Sequence, residues 1–281
     1  MAELSIPPVP TLLRRYVDEG RGLARLRRSR SGPVIIFASG PSAADFPLER
    51  YRHVPMMAVN GSIVRFAESG IRPLFYLCDD QGFVLDRLPL AVQGVSLAEH
   101  AGLGLDALKT LLGMAPECLE GRSVHLMQRV NRPLEGEPLS NRRYAWRVRN
   151  DPDIECGFSL FRQKPNRIGF SRDLTKGYFG SRTIPYAGLQ LAHHLGFDQV
   201  FLVGLDLTPA PGRFYEQGAD AIPSRLDADY ADYILPSFEL MARRVAGPGF
   251  RVYNLSAGSR LPARLVPKID LAQLDALLAS A

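Results

Sequence analysis

Three apolar runs within the first eighty residues each end in residues able to touch a ligand. Val34-Ile35-Ile36-Phe37-Ala38 breaks into Ser39-Gly40-Pro41-Ser42, Met56-Met57-Ala58-Val59 into Asn60-Gly61-Ser62, and Leu74-Phe75-Tyr76-Leu77-Cys78 into Asp79-Asp80. A fourth run, Val200-Phe201-Leu202-Val203, leads through Gly204-Leu205 to Asp206. A glycine just past a strand lets the backbone approach a ligand, while amides and carboxylates at neighbouring strand ends fix its orientation. The pattern is not a dinucleotide fingerprint, because only Gly40 is present, nor a phosphate loop, because no Gly-Lys-Ser/Thr follows. Taken singly, Gly40-Pro41 and Asn60-Gly61 read as turns, and Asp206 reads equally well as a loop-capping carboxylate. Asp227-Ala228-Asp229 has the spacing of a metal-binding acid pair, but it opens a helical pattern where acids favour the N-terminal dipole. No metal is expected. Cys78, Cys118 and Cys156 lack metal-ligand spacing, and their odd number argues against a disulfide framework.

The elements that must hold these residues follow from hydrophobic pattern. Short continuous apolar runs before breakers read as buried parallel strands, here at 33–38, 56–62, 73–80, 199–206 and 250–256. Helices are expected over 63–69, 183–195 (stopped at Gly196) and about 227–245. His193-His194, near the end of the second, reads as surface charge compensation. The fold class is α/β: a Rossmann-like parallel sheet flanked by helices, with a smaller lid or insertion. Residues 1–32 are expected as a basic N-terminal helix. Residues 33–281 are expected as a single α/β nucleotide-sugar-binding domain, with a less regular, proline-punctuated insertion at about 100–170 and a lid at about 207–232.

The chain has a net charge of +5 over 281 residues, with 46% hydrophobic and 22% charged residues, which is ordinary globular composition. No apolar run has the length of a membrane span. No basic segment leads an apolar one at the start, so a reducing cytoplasm is the expected compartment. Arginines cluster in the first thirty residues and at Arg142, Arg143, Arg147 and Arg149. They suit solvated faces or an anionic partner such as phospholipid or phosphorylated glycan. Aromatics do not interleave with them as in single-strand binders, so no nucleic acid partner is expected.

Five motifs in order, I-I-F-x-S-G-P (Ile35 to Pro41), A-V-N-G-S (Ala58 to Ser62), G-L-D-L-T (Gly204 to Thr208), R-F-Y (Arg213 to Tyr215) and Y-N-L-S (Tyr253 to Ser256), resemble the WaaZ family. That family adds a Kdo (3-deoxy-D-manno-octulosonic acid) residue from CMP-Kdo to the inner core of lipopolysaccharide. The resemblance covers roughly 33–82 and 169–269. The first two motifs and the Gly-x-Asp strand end are also similar to bacterial sialyltransferases of family 42, which use CMP-sialic acid without a metal. The resemblance implies that Ser39, Gly40, Pro41, Ser42, Asn60 and Gly61 lie at the donor. It puts Asp79 where the sialyltransferases have an asparagine, and Ser181 and Thr183 near the donor carboxylate or phosphate. Asp206, Thr208, Arg213 and Tyr215 fall in the loop that holds the leaving phosphate, with Arg213 standing in for a missing tyrosine.

The sialyltransferases carry a lid histidine as base, whereas residues 207–281 here contain none. An acid must replace it, and the candidates are Glu216, Asp227, Asp229 and Asp232. The expected reaction is a metal-independent, inverting displacement with no cofactor beyond the CMP-Kdo donor. Its acceptor would be the lipid A–core oligosaccharide, and the enzyme would sit peripherally at the inner face of the inner membrane, docked by the basic N-terminal helix. The alternatives are a CMP-sialate or nonulosonate transferase, a Mg-dependent nucleotide pyrophosphokinase-like enzyme using Asp79 and Asp80, and a protein that binds a nucleotide sugar without turnover.

Overall fold

The computed structural model describes residues 16, 21–134, 136–208, 213–214 and 226–280. Seven parallel strands form the main sheet: β1 (Pro33–Phe37), β2 (Met56–Val59), β3 (Phe75–Cys78), β4 (His100–Gly104), β5 (Val124–Met127), β8 (Gln199–Val203) and β9 (Arg251–Asn254), in the order β5-β4-β3-β2-β1-β8-β9. In the central register Phe37 lies between Ala58 of β2 and Val203 of β8. Helices cover both faces, so the central strands are buried throughout, which is why they read as unbroken apolar runs rather than alternating ones. Apolar cores fill both sides of the sheet, one around Phe37, Phe66 and Tyr76, the other around Ile36, Tyr186 and Phe238.

The strand order reverses between β1 and β8. From β1 the chain winds outward through β2 to β5, then returns to lay β8 on the other side of β1. Diverging connections leave a crevice at the carboxyl ends of those two strands, where open parallel sheets bind ligands.

Residues 100–127, expected inside an irregular insertion, instead supply β4, the helix Leu105–Met114 and β5. The β4 sequence His100-Ala101-Gly102-Leu103-Gly104 has too few branched residues to announce a strand. Its glycines are needed because a Cβ on Gly102 would lie 2.7 Å from Leu77, and one on Gly104 would collide with Asp79. The irregular segment begins after β5. It carries the helix Asn141–Arg147 and a two-stranded antiparallel sheet of β6 (Ile154–Cys156) and β7 (Gly169–Ser171).

The helix Ile184–Leu195 packs under β1 and ends at Gly196 in the left-handed conformation, φ 102°. The helix expected over 227–245 is broken by geometry. Leu226–Asp229 leads into a π-helical turn, Tyr230–Ile234, and then Leu235–Arg244. Pro236 lacks an N–H and its ring would strike the carbonyl of residue 232 in a regular helix, and the wider turn relieves that clash. His194 is fully buried, not at the surface: Nδ1 accepts from the Leu174 N–H at 3.2 Å and Nε2 lies 2.7 Å from the Leu23 carbonyl. It fastens the described part of the N-terminal segment, Arg21–Leu26, to the body. Arg27 strengthens the joint through ion pairs to Asp153 at 2.8 Å and Asp173 at 2.7 Å.

Candidate active site

The β1 loop and the β8 loop are tied together at the switch point. Gly40 N–H donates to the Gly204 carbonyl at 3.0 Å, and the Ser42 N–H donates to Asp206 Oδ2 at 2.9 Å. Gly204 takes φ 72°, and a Cβ there would lie 2.6 Å from the Ala38 carbonyl, so both backbone freedom and space require glycine. A Cβ on Gly40 would meet the Gly204 carbonyl at 2.5 Å. Asp206 therefore builds the loop junction and also reaches the cleft wall.

At the end of β2, Asn60 sits in the left-handed region at φ 48°. Ser62 fixes the turn: its hydroxyl donates to the Phe37 carbonyl at 2.8 Å and accepts the Val59 N–H at 2.9 Å. Among the described residues the buried Asn60 Oδ1 has no hydrogen-bond partner. A buried amide oxygen at a strand end that the described residues leave unpaired is open to a donor from outside the protein.

At the end of β3, Asp79 is held by Arg129, whose Nε and Nη2 donate to Oδ2 at 2.9 and 2.6 Å. Burial raises the Asp79 carboxyl above its usual range, and Arg129 opposes that rise. Arg129 is positioned by the chain just past β5, which pairs with Tyr178: the Val130 N–H reaches the Tyr178 carbonyl at 3.0 Å and the Tyr178 N–H reaches Gln128 at 2.9 Å. Asp80 caps the next helix by accepting the Phe83 N–H at 3.2 Å.

Two non-glycine residues, Ser181 and Arg182, stand together at φ 44° and 60°. Such strain persists only where surroundings enforce it, and it clusters at functional sites. The Ser181 hydroxyl donates to Ser237 at 2.7 Å. Arg182 reaches Asp229 with Nε 3.7 Å from Oδ1. Tyr233, on the π turn, carries the Arg167 and Arg182 guanidinium groups 5.3 and 5.5 Å from its ring centre.

These elements enclose a cleft of about 1080 Å³ at the switch point. Ser39, Gly40, Pro41, Asn60, Asp79, Ser181, Thr183, Asp206, Thr208, Arg213 and Asp229 all line it. Residues 213–214 are drawn in by the Phe214 N–H donating to the Ser39 carbonyl at 3.1 Å. Four further arginines line the cleft and were not singled out from the sequence: Arg129, Arg132, Arg167 and Arg182. With Arg213 they make a wall suited to phosphate and carboxylate oxygens.

Other expected residues lie elsewhere. Ser42 turns away from the cleft, its hydroxyl 2.7 Å from that of Ser256. Gly61 is buried in the turn behind Asn60. Among the acids proposed as base, Asp227 is exposed and paired with Arg260, and Asp232 is paired with Lys164, so neither lines the cleft. Helical geometry explains the split: Asp227, two residues before Asp229, falls on the other face of the helix, and the wider π turn that starts at Tyr230 breaks the register that would otherwise bring Asp232 beneath Asp229. Glu216 and Tyr215 lie outside the described residues. The Y-N-L-S motif is structural here: Asn254 and Ser256 are buried, and the Ser256 N–H donates to Asn254 Oδ1 at 3.0 Å under the β8 loop.

Fold and cleft together define a doubly wound α/β protein with an arginine-lined ligand site at its switch point. Residues 18–272 match the family described as 3-deoxy-D-manno-octulosonic acid transferase WaaZ. The chain belongs to that family, a family of Kdo glycosyltransferases. Two relatives bear the name probable 3-deoxy-manno-octulosonic acid transferase. One, from Escherichia coli K12, is 28% identical over 93% of this chain and 91% of its own length. The other, from Salmonella typhimurium LT2, is 27% identical over 92% of this chain and 95% of its own. Among solved structures, the MAf glycosyltransferase from Magnetospirillum magneticum AMB-1 is similar with a TM-score of 0.49 and 14% identity, over 93% of this chain and 39% of that one.

Proposed function

We propose that the chain transfers Kdo from CMP-Kdo to the inner core of a lipid-linked lipopolysaccharide acceptor by single displacement with inversion, without a metal. The observation that carries the donor assignment is the orphaned Asn60 Oδ1 beside the glycine-tight β1 and β8 loops, opposite an arginine wall. A CMP donor offers amine and hydroxyl donors to the amide, and phosphate and sugar-acid carboxylate to the arginines.

The chemistry needs a leaving phosphate to be stabilised and an acceptor hydroxyl to lose its proton. Arg213 and Arg182, both lining the cleft, are the donors we assign to the developing phosphate charge. Asp229 is the base we assign: of the three expected acids that lie among the described residues it alone lines the cleft, and Arg182 is paired with its carboxylate. The acids that a Mg-dependent phosphotransfer reading requires are already engaged, Asp79 by Arg129 and Asp80 by the Phe83 N–H. That supports the metal-free reading. A cytoplasmic, membrane-peripheral location belongs to the same proposal. Among the described residues no helix is long and apolar enough to cross a membrane.

Calorimetric titration with CMP, UMP, GDP and ATP in EDTA tests the donor class. Selective CMP binding is expected. Binding of ATP that requires Mg²⁺, with no response to CMP, would replace this reading with phosphotransfer.

A further inference from the structure

The segment between β5 and β7 displays large apolar side chains to solvent next to exposed arginines. Trp146 is 54% exposed, Phe158 43%, Leu160 57% and Phe161 93%. Trp146 and Phe158 touch, with ring centres 5.6 Å apart, so this is a patch rather than scattered residues.

The display is built. The buried Asn166 clamps the 158–162 loop. Its Oδ1 accepts the Ser159 N–H at 2.7 Å, and its Nδ2 donates to the carbonyls of Ser159 and Arg162, both at 2.9 Å. The Ser159 hydroxyl closes the turn by accepting the Arg162 N–H at 3.0 Å. Leu160 and Phe161 project from the tip of that clamped turn.

Five exposed arginines border the patch, and the acids between its two stretches, Asp151, Asp153 and Glu155, are paired with Lys176, Arg27 and Arg172. Arg142, Arg143, Arg147 and Arg149 are exposed on the helix Asn141–Arg147 and its end, and Arg162 on the loop, while residues 141–149 and 157–168 contain no acid. Arg142, Trp146 and Arg149 follow each other at helical spacing, and the Arg149 guanidinium lies 3.9 Å over the Trp146 ring. Aromatic and leucine side chains ringed by arginines match the acyl–headgroup boundary of a bilayer with anionic lipid. The same elements also build the cleft: Asn141 and Tyr144 of the helix and Asn166 of the clamp line it.

We propose that this aromatic–arginine surface docks on an anionic lipid bilayer and so brings the cleft to membrane-embedded acceptor. The proposal rests on the lipid-linked acceptor assigned above. It moves the membrane contact from the basic N-terminal segment, whose Arg27 is consumed in internal ion pairs, to the β5–β7 segment.

Trp146 is the only tryptophan of the chain, so its emission reports on this surface alone. The full-length protein is mixed with phosphatidylethanolamine–phosphatidylglycerol vesicles, with phosphatidylcholine vesicles, and with anionic vesicles carrying brominated acyl chains. The expected result is a blue shift and bromine quenching with anionic vesicles, absent with phosphatidylcholine. Leu160→Ser with Phe161→Ser, at positions 57% and 93% exposed, should keep the circular dichroism spectrum and weaken vesicle binding about tenfold or more. Arg143→Ala and Arg147→Ala should each weaken it by about fivefold at low salt.

No vesicle binding, or binding that leaves Trp146 emission unchanged, overturns the proposal. So does an emission that shifts with protein concentration in the absence of lipid, which would assign the patch to a second copy of the chain. Kdo transfer to a deacylated, water-soluble acceptor separates this proposal from the function. Transfer without vesicle binding sinks only the docking surface. Vesicle binding with the Trp146 response but without transfer sinks only the assigned reaction.

Discussion

Asp206 accepts the backbone N–H of Ser42 at 2.9 Å across the switch point. One carboxylate thus joins the loops that follow the two central strands and sets the width of the crevice between them. Asp206 is 8% exposed, so its replacement removes a charged acceptor held largely out of water and leaves the exposed Ser42 N–H to solvent. Asp206→Ala should cost about 1.5–3 kcal/mol of stability, the scale for hydrogen bonds to charged groups. Asp206→Asn keeps an oxygen acceptor and should cost less. Urea denaturation of the two variants checks the order, and equal midpoints would remove the structural role.

Asn60 separates binding from stability. Its backbone needs a left-handed conformation, which glycine adopts without strain, while its Oδ1 has no partner among the described residues. Asn60→Gly should cost no more than about 1 kcal/mol of stability. It should weaken donor binding about tenfold or more, as expected for losing one hydrogen bond in a buried site. Paired melting and CMP calorimetry read both effects. An unchanged affinity would show that the orphaned oxygen does not meet the donor.

Asp229 carries the proton-transfer assignment. Asp229→Asn removes the base without changing side-chain size, and should lower turnover about 10²–10⁴-fold while leaving CMP affinity within about threefold. Asp227→Asn and Asp232→Asn, on carboxylates paired at the surface, should stay near wild type. Single-turnover assays on the three variants give the ranking. Loss of turnover in Asp232→Asn with normal Asp229→Asn would reverse the assignment.

Acid should weaken the fold through two histidines. Burial lowers His125 from 6.5 to about 4, with nearby His100 adding to the shift. His193 is lowered to the same value, first by burial and then by Arg172. Among the described residues neither buried Nδ1 has a hydrogen-bond partner, as a neutral ring tolerates and a charged one does not. Below pH 6.5 the unfolded chain binds protons that the folded chain refuses, so their contribution is complete above 6.5 and is lost as pH falls toward 4. The full loss is up to about 3 kcal/mol per histidine. Urea midpoints at pH 7, 5.5 and 4.5 should fall in that order. His125→Asn and His193→Asn should flatten the slope, and an unaltered slope would place the acid sensitivity elsewhere.

The strand ends were legible because parallel strands buried on both faces leave an apolar signature that stops abruptly. Gly40, Asn60, Asp79 and Asp206 each follow such a stop, and all four line the cleft. Arg129, Arg132, Arg167 and Arg182 were not legible. They come from irregular chain after β5 and around β7, where no period marks which face a side chain takes, and only the Val130–Tyr178 pairing aims Arg129 at Asp79. Ser42 falls off the cleft wall because the loop reverses within two residues of Gly40, sending its hydroxyl to Ser256. The π turn hides in the same way, since Pro236 in a strongly amphipathic stretch shows that something must yield but not where. The exposed patch at Trp146 and Phe161 was invisible because the sequence shows aromatics and arginines but not which of them a clamp at Asn166 turns outward.

The most direct measurement is Kdo transfer itself. CMP-Kdo generated in situ is offered with lipid A–core oligosaccharide in EDTA, and the product is weighed by mass spectrometry beside the Asn60→Gly and Asp229→Asn proteins. The account predicts a single added Kdo residue from the wild-type protein, undiminished by the chelator and lost or slowed in both variants. CMP binding without any transfer, or transfer that appears only when a divalent cation is restored, would contradict it.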